Sequence, residues 1–178
     1  EPQFQPQNRG FDDAVYLLEG GSANFKQKQM SMLQGYGATF LENGKPVELP
    51  EDFFSTTFYT DYLIEKIGGE ERDKPFFAYA AYTAPHWPIQ APDDYLQAQR
   101  GKYDEGYDVL ANRRLDRQRE LGLAPASDGP RRFMDGHKPW DSLSAEEKTV
   151  SARKMEAYAA MIVHLDDQIG RLVEYDGA

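Results

Sequence analysis

Pro75-Phe76-Phe77-Ala78-Tyr79-Ala80-Ala81-Tyr82-Thr83-Ala84-Pro85-His86-Trp87-Pro88-Ile89-Gln90-Ala91-Pro92 is the stretch on which the reading of the fold turns. Residues 76–82 are short, aromatic-rich and apolar on both faces, which suits a central strand of a parallel sheet covered by helices on both sides. Residues 83–92 then break every regular pattern. Prolines at 85, 88 and 92 remove backbone donors and restrict the path of the chain.

Upstream of the strand, Phe58, Tyr62, Leu63, Ile64 and Ile67 recur at near-helical spacing from Ser55 onward, and Gly68-Gly69 ends the run. A charged turn at 70–74 links that helix to the strand. Helix, short turn and buried strand make one half of a βαβ unit. Further upstream, Asn43-Gly44 separates 36–41 from 45–49, and Asn-Gly accepts the positive φ of a tight turn, so a small hairpin is expected. Residues 11–25 carry a faint helix-then-loop signal, and 1–10 read as a loop or extended entry.

Downstream, residues 106–121 read as an exposed, charged helix closed by Gly122, followed by a loop at 124–139. Ser144-Ala145-Glu146-Glu147 has the form of a capping box. Behind it Tyr158, Met161, Ile162, Leu165, Ile169, Leu172 and Val173 form an apolar stripe at helical spacing. A long amphipathic helix of about 25–30 residues follows from that period.

Composition limits the chemistry. Apolar residues make up 40% of the 178 and aromatics 13%, enough for a packed core. The net charge of -10 opposes nucleic-acid binding. The one basic cluster, Arg113, Arg114, Arg117 and Arg119, is broken by Asp116 and Glu120 and reads as a solvated helix face. The absence of cysteine excludes disulfides, cysteine-ligated zinc and a thiol nucleophile for this chain. No apolar run approaches the ~20 residues of a membrane span. The chain starts at Glu1 rather than methionine, so it is expected to have been cut or processed from a longer protein.

Ligands of open α/β sheets bind beyond the carboxyl ends of strands. Only His86 combines that position with a reactive side chain. Held between prolines, its imidazole could donate to an anionic substrate oxygen or deliver a proton to a leaving group. The competing reading is a structural histidine bonded to a loop carbonyl. His137 reads as an exposed loop residue and His164 as a helix-packing or boundary residue. Hard cations favour clustered carboxylates, which makes Asp12-Asp13, Asp93-Asp94 and Asp166-Asp167 candidate ligands. None follows an apolar strand, and adjacent residues of a helix point about 100° apart, so all three pairs read as structural, with Asp93-Asp94 capping the next turn.

Thr-Ala-Pro-His-Trp-Pro-Ile-Gln-Ala-Pro at 83–92 resembles the histidine-bearing segment of bacterial arylsulfatases of the alkaline-phosphatase-like superfamily. Arg9-Gly10-Phe11-Asp12 and Gly20-Gly21 resemble the segment that follows the family's lysine–histidine motif. Phe58-Tyr59-Thr60-Asp61 and Lys74-Pro75-Phe76-Phe77 resemble its helix and following strand, and the residues from Gly101 to Asp108 with Arg114-Leu115 resemble its lid region. Trp140-Asp141-Ser142-Leu143 and Met155-Glu156-Ala157-Tyr158-Ala159-Ala160-Met161 resemble the helix beyond. Asn24 stands where family members often carry histidine.

The resemblance implies an α/β fold, with helices on a mostly parallel sheet of which only part is present. It implies hydrolysis of a sulfate ester by a formylglycine nucleophile with a calcium ion, and His86 in contact with the sulfate or the leaving oxygen. The C-x-P-x-R maturation motif is absent, and Ser127-Asp128-Gly129-Pro130-Arg131 places proline one position too late for the serine form. The lysine–histidine motif, the strand-ending Asp-Asp and the Asp-Asn-Gly that follows the long helix are also absent. Residues 1–178 are therefore expected to be an internal segment of a sulfatase catalytic domain, with nucleophile and metal ligands before Glu1 or after Ala178. Alone, the segment is expected to be inactive and to expose apolar surface. The alternatives are a phosphonate or phosphate monoester hydrolase of the same superfamily, and a degenerate binding domain. The acidic charge disfavours the binding of sulfated polymers.

Overall fold

Asn43 and Gly44 both sit at positive φ, 48° and 82°, and turn the chain between two short strands. The computed structural model describes residues 2–26, 38–69, 75–127, 129 and 136–176. Its strands are β1 (Val15–Leu17), β2 (Phe40–Glu42) and β3 (Lys45–Pro46), and its α-helices are α1 (Ser55–Ile67), α2 (Asp93–Ala98), α3 (Tyr107–Glu120) and α4 (Ala145–Asp176). The expected Asn-Gly hairpin is β2–β3, with Glu42 opposite Lys45. Residues 36 and 37 of its expected first arm lie outside the described residues, as does the charged turn at 70–74.

The sheet corrects the expected parallel architecture. It is three-stranded in the order β1-β2-β3, and both pairings are antiparallel. Its first strand comes from 11–25, where a helix was anticipated. Asn43 fixes the β1 end: its backbone N–H donates to Ala14 O at 2.9 Å and its Oδ1 accepts from Ala14 N–H at 2.8 Å. Residues 76–82 carry no strand pairing, and 75–81 are exposed throughout. Phe77 is 78% exposed, with one ring contact at 6.1 Å to Phe11. A strand exists only where another backbone completes its hydrogen bonds. Among the described residues none does so for this run.

The chain divides into two compact units, 1–91 with 161–178, and 92–160. In the first, Phe40, Leu49 and Phe53 form a buried cluster joined by Leu17, Val47, Phe58 and Tyr59. Phe40 meets Phe53 edge-on at 5.2 Å, a favoured aromatic geometry. Burial in this cluster pushes the Tyr59 phenol up to about 12. α1 runs as expected from Ser55 to Ile67, with Gly68 as its C-cap.

In the second unit, α2 begins with Asp93 and Asp94 in its first turn. They are not its cap, because Pro92 occupies that position. Their carboxylates favour the positive end of the helix. α3 has no buried residue, and its arginines form ion pairs Arg113–Glu105, Arg117–Glu120 and Arg119–Asp116, the solvated face expected. Trp140 is buried and donates its backbone N–H to Asp108 Oδ2 at 2.8 Å. Gly106 (φ 87°) lies directly against the Trp140 ring, so position 106 has neither the backbone conformation nor the space for a side chain.

α4 is 32 residues long and opens with the expected capping box. Glu147 N–H donates to Ser144 Oγ at 3.2 Å, and Ser144 N–H donates to Glu147 Oε2 at 2.8 Å. Its buried face differs from the expected stripe. Met161, His164 and Gln168 are buried, whereas Ile162, Ile169 and Val173 are exposed. The polar members of the buried face have partners: His164 Nε2 lies 3.2 Å from Thr57 Oγ1, and Gln168 Oε1 accepts from Arg171 at 2.6 Å. Hydrophobicity alone gives no account of side chains that are buried with their hydrogen bonds made.

Candidate active site

His86 projects from a loop whose small and cyclic residues face inward. Ala84, Pro88 and Ala91 are buried, whereas His86 and Trp87 are exposed. The Ala84–Pro85 and Trp87–Pro88 peptides are both cis. His86 N–H donates to Thr83 O at 2.9 Å, closing a turn under the side chain.

The imidazole has one bond in the loop. Nδ1 lies 2.7 Å from the Trp87 carbonyl. A carbonyl oxygen can only accept, so Nδ1 carries hydrogen. In the neutral ring that leaves Nε2 as the free acceptor, and in the cation it makes Nε2 a donor. The two readings of His86 left open by the sequence are therefore compatible. Binding to a loop carbonyl orients the ring without occupying the nitrogen that could do chemistry.

The loop is tied down on both sides of His86. On the N-terminal side, Tyr82 O–H and Thr60 Oγ1 are 2.8 Å apart. The single Thr60 hydroxyl proton goes to Thr56 O at 2.9 Å, so Tyr82 is the donor. Burial raises the Tyr82 pKa, against the opposing effects of the Thr60 bond and Arg171, which keeps the phenol protonated. On the C-terminal side, Asn24 is 3% exposed and donates its Nδ2 to Pro88 O at 3.1 Å. Its backbone N–H donates to Gln90 Oε1 at 2.8 Å. Gln90 N–H in turn points at the Met161 sulfur, 3.3 Å away.

The other candidates do not join this loop. His164 packs edge-on to Phe54, with ring centroids 4.8 Å apart, in the helix-packing role expected of it. His137 is exposed beside the Tyr107 ring at 4.3 Å. Asp13 accepts from Asn43 at 3.2 Å, and Asp166 and Asp167 are exposed on α4. Among the described residues no three His, Asp or Glu side chains come together as metal ligands.

Sequence reasoning missed Gln90 and Thr60 as parts of the site, and it marked Asn24 only as a departure from the family's histidine. Asparagine before an aromatic is an ordinary loop pair, and nothing local marks it as a brace for a segment 64 residues away. Among the described residues no helix is long and apolar enough to cross a membrane.

Comparison with known proteins places these features in a family. The sulfatase family profile matches residues 2–175. An uncharacterized sulfatase of Schizosaccharomyces pombe is 39% identical over 98% of this chain and 33% of its own length. An arylsulfatase of Klebsiella aerogenes is 33% identical over 97% of this chain and 37% of its own length. The chain thus spans about a third of the length of the curated relatives it matches. Among solved structures, the crystal structure of Ps i-CgsB superposes with a TM-score of 0.56 at 23% identity, covering 98% of this chain and 30% of that one. That likeness concerns the fold alone.

Proposed function

The chain belongs to the sulfatase family, and we propose that it is an internal segment of the catalytic domain of a longer enzyme that hydrolyses a sulfate monoester, with His86 as the side chain that meets the departing alcohol. In that reading the formylglycine nucleophile and the calcium site lie elsewhere in the longer chain, and the segment alone is inactive. When present, those groups supply the attack on sulfur and the polarisation of the sulfate. The residues described here contribute a proton at a defined place.

The observation that carries the proposal is the hydrogen bond from His86 Nδ1 to the Trp87 carbonyl at 2.7 Å, with the side chain exposed. The bond fixes the tautomer and leaves Nε2 unengaged by the loop on an exposed side chain. As the S–O bond breaks, the imidazolium delivers its Nε2 proton to the leaving oxygen. The ring then becomes neutral while Nδ1–H stays on the carbonyl. A fixed donor of this kind spends little reorganisation at the moment of transfer. The anchors at Tyr82 and Asn24 support the reading, because they hold the backbone on either side of the ring.

The test is turnover of the full-length protein on 4-nitrophenyl sulfate and phenyl sulfate. His86→Ala should lower kcat on phenyl sulfate by ~10²-fold, the scale of losing a general acid. An unchanged rate would remove His86 from the mechanism. Sequencing the coding DNA on both sides gives a check on the segment itself. A C/S-x-P-x-R motif upstream is expected, and an intact gene without it would point to a non-catalytic relative.

A further inference from the structure

We propose that Asn24 is a positioning residue that sets the orientation of His86, acting through Pro88 and the Trp87 carbonyl. The proposal rests on the assignment of His86 as the general acid.

Asn24 is buried, and four of its polar groups are engaged at once. Its backbone carbonyl accepts from Ser55 N–H at 2.9 Å, and its Oδ1 accepts from Ser55 Oγ at 2.7 Å. Both bonds hold it to the first residue of α1, where backbone N–H groups have no partner within the helix. The other two run to the His86 loop, from N–H to Gln90 Oε1 at 2.8 Å and from Nδ2 to Pro88 O at 3.1 Å. Asn24 therefore links the rigid start of a helix to the C-terminal side of the loop.

The link reaches the imidazole through the Pro88 backbone and one hydrogen bond. Pro88 O is held by Asn24, and the Pro88 nitrogen shares a peptide plane with the Trp87 carbonyl. That carbonyl holds His86 Nδ1 at 2.7 Å. Rotation of the Pro88 backbone would swing the acceptor away from the ring, so a brace on Pro88 limits the directions open to Nε2.

The residue type follows from the partners. Pro88 O can only accept, and the Ser55 hydroxyl donates, so position 24 needs a donor and an acceptor at the tip of one short side chain. An amide has both. An ionised aspartate would turn an oxygen toward the Pro88 carbonyl, and alanine would leave both partners buried without a bond.

The test uses the full-length enzyme, phenyl sulfate with its poor leaving group, and 4-nitrophenyl sulfate with its good one. Asn24→Ala should lower kcat on phenyl sulfate by ~10-fold with KM within about twofold, and should lower kcat on 4-nitrophenyl sulfate much less, because only the poor leaving group depends on proton delivery. In the His86→Ala background the same substitution should cost nothing further. An unchanged kcat, an equal loss on both esters, or the same factor in both backgrounds would overturn the positioning role while leaving His86 in place. No effect of His86→Ala alone would instead remove the general acid, and this proposal with it. If Asn24→Ala does not accumulate as folded enzyme, the similarly sized Asn24→Asp, which loses the donor to Pro88 at neutral pH, is read in the same two backgrounds with the same outcomes.

Discussion

The His86 loop of the first unit hangs on the neutral amide of Asn24, whereas the loop at 99–106 in the second unit hangs on the carboxylate of Glu156. Glu156 is 3% exposed, accepts from Gly101 N–H at 2.7 Å and pairs with Arg153 Nη1 at 2.6 Å. Arg100 lies 3.7 Å away, and Arg153 reaches on to Asp104. Each loop thus has among its anchors one buried polar side chain with several partners. The difference lies in what happens when that side chain is removed. Loss of the amide leaves dipoles without partners, but loss of the carboxylate takes from Arg153 one of its two carboxylate partners and leaves the Gly101 N–H without its acceptor. A neutral brace adds no charge beside the His86 ring.

The largest effect expected from breaking this contrast is at Glu156. Glu156→Ala should cost about 3 kcal/mol in urea unfolding of the longer chain, and Glu156→Gln, which keeps an acceptor for Gly101, about half of that. Equal costs for the two variants would mean that charge plays no part in the second loop. A smaller effect is expected at the other anchor of the first loop. Tyr82→Phe removes one donor to Thr60 and should cost about 1 kcal/mol. It should leave kcat on phenyl sulfate within about twofold, since the Asn24 brace remains. A tenfold loss would shift the control of His86 to the N-terminal side of the loop.

The smallest effect belongs to an exposed carboxylate, which sharpens the comparison by removing burial. The Ser144 backbone N–H bond, with Lys138 and the Ser144 hydroxyl, lowers the Glu147 pKa from 4.5 to about 2. A lowered folded-state pKa means that its contribution is complete above pH 4.5 and is lost as pH falls toward about 2. Fraying should be confined to the first turn of α4, read from the amide NMR shifts of residues 145–148 between those limits. Glu147→Gln should abolish that pH dependence, and a titration persisting in the variant would assign it to another group.

Much of the local structure was legible because its hydrogen bonds close within a few residues. Ser144 and Glu147 cap one another across three positions, Asn43-Gly44 supplies its own positive φ, and Gly68 ends α1. The prolines around His86 likewise marked the loop and its histidine. The strand at 76–82 was misread because composition reports what a segment would bury and is silent on whether a paired backbone lies beside it. The buried face of α4 was misread for a related reason. Ile162, Ile169 and Val173 outweigh His164 and Gln168 in hydrophobicity, yet the latter two have polar partners on the buried side.

The sequence by itself determined α1, α3 and α4, the hairpin and the family resemblance, and it put His86 forward as the candidate, since each is written in residues close together along the chain. Only the tertiary structure decided which nitrogen of His86 bonds the loop carbonyl and what braces that loop. Those facts depend on Asn24 meeting Ser55 across 31 positions and Gln90 across 66. A hydrogen bond between such distant residues leaves no periodic trace in the sequence, because it requires only one donor and one acceptor that folding brings within 3 Å.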